Sequence, residues 1–161
     1  MQQVLVSAIA VIGTLLGATA TYFLQRKITE RAHAEGRKEQ RRKELVEALV
    51  AYGSAVMSLR RAEYDRWNRR NESPDGVTPL ETRMEAYRLR AEARSALFHV
   101  RLLVDPGSHG ELVKQAESAL ELAKNASKAA TLEELSTRGE DARVALERVI
   151  DGANRLLRST S

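Results

Sequence analysis

The string Asp105-Pro106-Gly107-Ser108-His109-Gly110-Glu111 sets two carboxylates, a hydroxyl and an imidazole within seven residues. Those are the ingredients of nucleophilic hydrolysis. A serine nucleophile also needs its base within hydrogen-bond reach and donors for the developing oxyanion, which nearness in sequence does not supply. A plainer reading covers nearly all of the string: Asp105-Pro106-Gly107 stops one helix, then Ser108 caps the next with Glu111 at the capping-box position. The remaining histidines, His33 and His99, stand at no metal-ligand spacing with each other or with a carboxylate on the same helix face. Cysteine is absent, which removes thiol catalysis, Cys-based zinc sites and disulfides. The nine glycines form neither GxGxxG nor GxxxxGK[ST], so there is no phosphate loop. Glu133-Glu134 and Glu140-Asp141 suit helix starts and charged faces. The expectation is a protein that is not an enzyme and has no cofactor or metal.

Cations offer a different chemistry. Arg66, Trp67, Arg69 and Arg70 combine phosphate-binding charge with the single tryptophan, a pattern that suits nucleic acid. The alternative is that Trp67 covers the end of a helical bundle while the arginines complement a helix C-terminus. A second group, Arg26, Lys27, Arg37, Lys38, Arg41, Arg42 and Lys43, lies in residues 26–44, which hold eight cations against four glutamates. Residues 45–161 hold eighteen charges of each sign, so the whole net charge of +4 belongs to this short neck. An anionic lipid surface or a nucleic acid would be attracted there.

The element in front of the neck explains why lipid enters the argument. Val4–Leu24 runs for 21 residues without a charge, enough for a helix of about 30 Å, the thickness of a bilayer core. Ala18-Thr19-Ala20 has the form of a signal cleavage site. No basic n-region precedes the run, however, and its length exceeds a usual h-region, so a retained anchor is expected. Cations behind a span stay cytoplasmic, which predicts a single-pass cell-membrane protein with its N-terminus outside and its C-terminal domain in the cytoplasm. Within the run, Gly13, Gly17 and Thr21 form a small-residue groove suited to helix dimerisation.

The rest reads as helix. Apolar residues at 45, 49, 52, 56 and 59 make one stripe, and Asn71–Gly76 breaks it with turn formers. Thr78, Pro79 and Glu81 then predict a capped helix start, with Met84, Tyr87, Ala91, Leu97, Phe98 and Leu102 inward. A third stripe uses residues 112, 116, 119, 120 and 123. Near Thr131 either a kink or a short break precedes the last stripe at Leu135, Ala142, Leu146, Val149, Ala153 and Leu156. The predicted fold is all-α: an N-terminal transmembrane helix (1–25), a basic juxtamembrane helix (26–44) and an antiparallel three- to four-helix cytosolic bundle (45–161).

Val11-Ile12-Gly13-Thr14-Leu15-Leu16-Gly17, then Tyr22-Phe23-Leu24-Gln25-Arg26, then an Arg-, Glu- and Ala-rich helix, resembles the small single-span proteins of actinomycetes labelled KilB-like, most strongly over residues 1–70. The resemblance implies an accessory role in plasmid transfer and transfers no catalytic residue. The expected function is a membrane-anchored helical interaction or scaffold protein with a protein partner or a second copy of itself. The alternative is a membrane-tethered nucleic-acid-binding protein that uses the neck and the Arg66–Arg70 segment.

Overall fold

The computed structural model describes residues 2–159 apart from Pro74. For residues 2–34 only the helical backbone is described, and the side chains of Pro106, Ser108 and Ser159 are likewise outside the description. Helix α1 spans Gln2–Glu72, α2 Leu80–Leu103, α3 Pro106–Lys124 and α4 Leu132–Ser159, with a 3-10 turn at Ala126–Lys128 between the last two. The chain divides into two compact units, residues 1–41 and 42–161. The first consists of α1 backbone with an exposed end at residues 35–41. The second is a four-helix bundle and holds all the buried residues described below.

Within the bundle, the stripes read from the sequence bury as a period of 3.6 requires. Leu45, Tyr52, Val56 and Leu59 of α1 share one core with Leu112, Ala116, Ala119, Leu120 and Ala123 of α3, and the six predicted α4 positions are all buried. Much of the inner surface is alanine: Ala86, Ala93, Ala116, Ala119 and Ala123 are wholly buried. Side chains this small let helix axes approach closely, which is why the core needs so few aromatic rings. The Tyr52 hydroxyl crosses that core to donate to the Ala116 carbonyl at 2.5 Å. Burial pushes its phenol well above the ordinary range.

Turns follow local chemistry. Ser73 Oγ and the Val77 N–H both donate to Asp75 Oδ1, at 2.6 and 3.0 Å, and Gly76 takes a φ of 67°, which a residue with a Cβ rarely adopts. Before α4 a true break occurs. Thr131 Oγ1 accepts from the Glu134 N–H at 3.1 Å, and Glu134 Oε2 accepts from the Ala130 N–H at 2.7 Å, a reciprocal cap.

Four expectations are corrected. Among the described residues no helix is long and apolar enough to cross a membrane, so the transmembrane part of the fold and the single-pass cell-membrane location do not stand. The Val4–Leu24 run that prompted them lies outside the described side chains. Helix α2 starts at Leu80 with extended Pro79 at its N-cap and no side-chain cap, so Thr78 does not close a capping box. Helix α3 starts at Pro106, three residues earlier than a Ser108 cap requires, and bends at His109. Lastly, α2 buries Ala86, Leu89, Ala93, Leu97 and Val100, leaving Met84, Tyr87, Phe98 and Leu102 exposed. The helix carries two apolar stripes, and the bundle takes the one with the smaller side chains.

Candidate functional site

Glu63 is fully buried. It lies four residues beyond Leu59, so the stripe that carries Tyr52, Val56 and Leu59 into the core carries this carboxylate with them. Its Oε1 accepts from Arg90 Nε at 2.7 Å and lies 2.5 Å from Arg90 Nη2; its Oε2 accepts from Ser127 Oγ and lies 3.6 Å from Arg66 Nη1. Arg90 also donates to the Lys124 carbonyl at 3.4 Å and packs 5.5 Å from the centre of the Tyr87 ring. One carboxylate thus ties α1, α2 and the 3-10 turn together. Both of its oxygens are engaged, so the arrangement holds helices in register and offers no free base. The sequence reading missed Glu63. The available signal was a glutamate at the next helical step of an apolar stripe.

Beside this knot, the end of α1 bonds to the backbone around the α3–α4 connection. Trp67 Nε1 and Arg70 Nη2 both donate to the Ala129 carbonyl, at 2.8 and 3.1 Å. Tyr64 Oη donates to the Leu135 carbonyl and Arg60 Nη1 to the Gly139 carbonyl, each at 3.0 Å. As the α1 number falls by four, the α4 number rises by four, which is the signature of an antiparallel pair. Gly139 is required for the approach, because a Cβ there would stand 1.8 Å from Tyr64 Oη.

These contacts place the predicted cationic residues. Trp67 packs on Ala126, Ala129 and Leu135, with Arg70 on the same carbonyl and Arg66 beside Glu63. Arg69 faces solvent, 3.5 Å from Glu72. Arg66, Trp67 and Arg70 thus make contacts within the bundle while remaining half-buried, and Arg69 alone of the four is exposed. Arg37, Lys38, Arg41, Arg42 and Lys43 are all exposed along α1. Gly13, Gly17, Thr21, Arg26 and Lys27 lie outside the described side chains, as does His33. In the Asp105–Glu111 string, Asp105 Oδ1 accepts from the Gly107 N–H at 3.4 Å and the Asp105 carbonyl from the His109 N–H at 3.0 Å. The Ser108 hydroxyl is outside the description, and no metal-holding group of side chains occurs among the described residues.

A second region presents a surface of a different kind. Where α1 and α4 pass each other near Gly53, they leave an apolar cleft of about 420 Å³. Val46, Val50, Met57 and Ile150 rim it, and each is exposed. A Cβ added to Gly53 would meet nothing within 4 Å, so the cleft is open at this point.

Comparison with known proteins places the chain. No curated protein and no solved structure matches it. The KilB plasmid transfer protein family matches residues 46–157. The matched region is the helical bundle, whereas the resemblance read from the sequence was strongest over residues 1–70. With the greater part of its length matched, this chain belongs to the KilB plasmid transfer protein family.

Proposed function

We propose that this protein serves plasmid transfer as a helical interaction protein, engaging protein partners through helix faces without converting a substrate. Family membership supports a plasmid-transfer-related role. The observation that carries the interaction reading is the open apolar cleft at Gly53, whose rim exposes 66% of Val50 and 53% of Ile150. Exposed aliphatic side chains gathered around a concavity between two helices suit the ridge of a partner helix, and burying them there would be favourable by roughly 25 cal/mol per Å².

The test is a mating assay with donor cells whose own copy is replaced by variants. Gly53→Leu fills the cleft, and Val50→Glu puts a charge on its rim. Both should lower transfer at least about tenfold, equivalent to 1.4 kcal/mol of lost binding, while the purified proteins keep their helix content and melt no lower than the parent. Ser58→Glu, on an exposed α1 position, is the control and should transfer normally. Full transfer by Gly53→Leu and Val50→Glu would sink the reading. A second contact, between the exposed neck cations and nucleic acid, predicts binding to duplex DNA that weakens steeply with salt. Salt-independent binding, or none at low ionic strength, would dismiss that contact.

A further inference from the structure

In residues 35–41, the part of the first unit whose side chains are described, Glu35-Gly36-Arg37-Lys38-Glu39-Gln40-Arg41 is exposed throughout and carries no apolar side chain. At about 100° per residue, Arg37, Arg41 and Lys38 fall within one arc of about 100°, and Glu35 and Glu39 lie toward the far side. Arg37 and Arg41 stand one turn apart, about 6 Å along the axis. Like charges at that spacing repel one another, so the helix gains nothing from them.

Three exposed arginines of the bundle make the contrast. Arg88 is clamped by Glu85 and Glu92, Arg143 by Glu140 and Glu147, and Arg101 is held by Glu117. Arg37, Lys38 and Arg41 have no such partner among the described residues, even though Glu35 precedes Lys38 by one helical turn. Their charge is available to a polyanion.

A helix that lies on a lipid surface inserts an apolar face below the headgroups, and residues 35–41 have none. Duplex nucleic acid asks for no such face. It presents one negative charge per about 1.7 Å of its axis, dense enough to meet three cations on one side of a helix. The far side of the helix decides how the two meet. A helix about 10–12 Å across fills a major groove about 12 Å wide, with phosphates along both walls, so Glu35 and Glu39 would face one of them. That arrangement is repulsive. Contact with a single backbone leaves both glutamates in solvent and the base edges unread.

We propose that Arg37, Lys38 and Arg41 bind one phosphate backbone of duplex nucleic acid from outside the groove, without regard to base sequence. This rests on the nucleic-acid contact of the neck, and adds which side chains make it, where they sit on the duplex and that no base is read.

The test titrates the full-length protein by fluorescence anisotropy against two duplexes of unrelated sequence over a range of salt. The parent should bind both alike. Arg37→Gln with Lys38→Gln and Arg41→Gln should flatten the slope of log affinity against log salt by about 2.7, about 0.9 for each lost phosphate contact. Arg88→Gln with Arg101→Gln and Arg143→Gln removes the same formal charge and should leave the slope unchanged. Equal flattening by both sets would reduce the contact to net charge and overturn the proposal. So would a slope untouched by the Arg37 set, or a preference of about tenfold or more for one duplex, the mark of a base contact. Loss by that set of binding to phosphatidylglycerol vesicles, with its DNA slope intact, would assign the cations to lipid instead. No binding to either duplex at low salt would remove the underlying nucleic-acid contact as well, whereas each of the other adverse results removes only the assignment to these three side chains on one backbone.

Discussion

The same two helices, α1 and α4, meet in two different ways. At one end Arg60, Tyr64, Trp67 and Arg70 donate to carbonyls at Gly139, Leu135 and Ala129, and Glu63 is buried beside them. At the other end the surface is an apolar cleft around Gly53. The first end is directional. A shift of one residue would strand several half-buried donors, so it specifies a single register. The second end is non-directional and leaves apolar surface in water. One end determines how the helices assemble, and the other has surface available for a partner.

The largest expected effect is at the directional end. Glu63→Ala should cost about 3–5 kcal/mol in urea unfolding, because Arg90 and Ser127 lose their acceptor inside the core. Replacing the group together, with Glu63→Met, Arg90→Met and Ser127→Ala, should recover most of that loss. If the triple variant is as unstable as Glu63→Ala, packing around Glu63 matters more than its charge.

One substitution made at both ends divides them by sign. Gly139→Ala drives a methyl into Tyr64 and should destabilise by about 1–3 kcal/mol. Gly53→Ala meets nothing and should stabilise by up to about 1 kcal/mol through helix propensity. In a Tyr64→Ala background, Gly139→Ala should turn stabilising too, and thermal melts of the double-mutant cycle would show it.

Tyr52→Phe removes the hydroxyl that bonds to Ala116 and should cost about 1 kcal/mol at neutral pH. The sign with pH follows from a phenol whose folded pKa is raised above its ordinary 10.0 by burial. The stabilisation is complete below pH 10.0 and declines as pH rises above it, because the unfolded chain ionises first. Stability followed above that pH should fall less steeply in Tyr52→Phe than in the parent.

The smallest effect is at the start of α4. The Ala130 N–H and then Arg138 hold the Glu134 carboxyl below its ordinary value of 4.5, so its contribution is present at neutral pH and disappears as pH falls through the lower folded value. Glu134→Gln should flatten the acid side of the stability profile slightly; an unchanged profile would mean that the cap contributes nothing measurable.

Periodicity alone revealed much of this protein. The α1, α3 and α4 stripes and the turn after Asn71 were legible because each depends on residues only a few positions apart, while the choice between a kink and a break before α4 stayed open until the Thr131–Glu134 cap was seen. The same local view misassigned α2, since it has two apolar faces at helical spacing and nothing in the helix itself says which one the bundle takes. Alanines on facing helices decide that through close packing, a long-range fact. Nor could the local view show that Trp67 and Arg70 share a carbonyl as acceptor, because that carbonyl lies about sixty residues away, at Ala129.

By itself, then, the sequence determined an all-helical chain, its helix boundaries to within a few residues, and a neck that carries the net charge. Only the tertiary structure decided which glutamate is buried, which glycine is sterically required and which apolar residues are left in water. Helix period and capping are set by neighbours along the chain, whereas burial of a carboxylate, contact with a glycine and exposure of a stripe are set by what a distant segment brings to the same point in space.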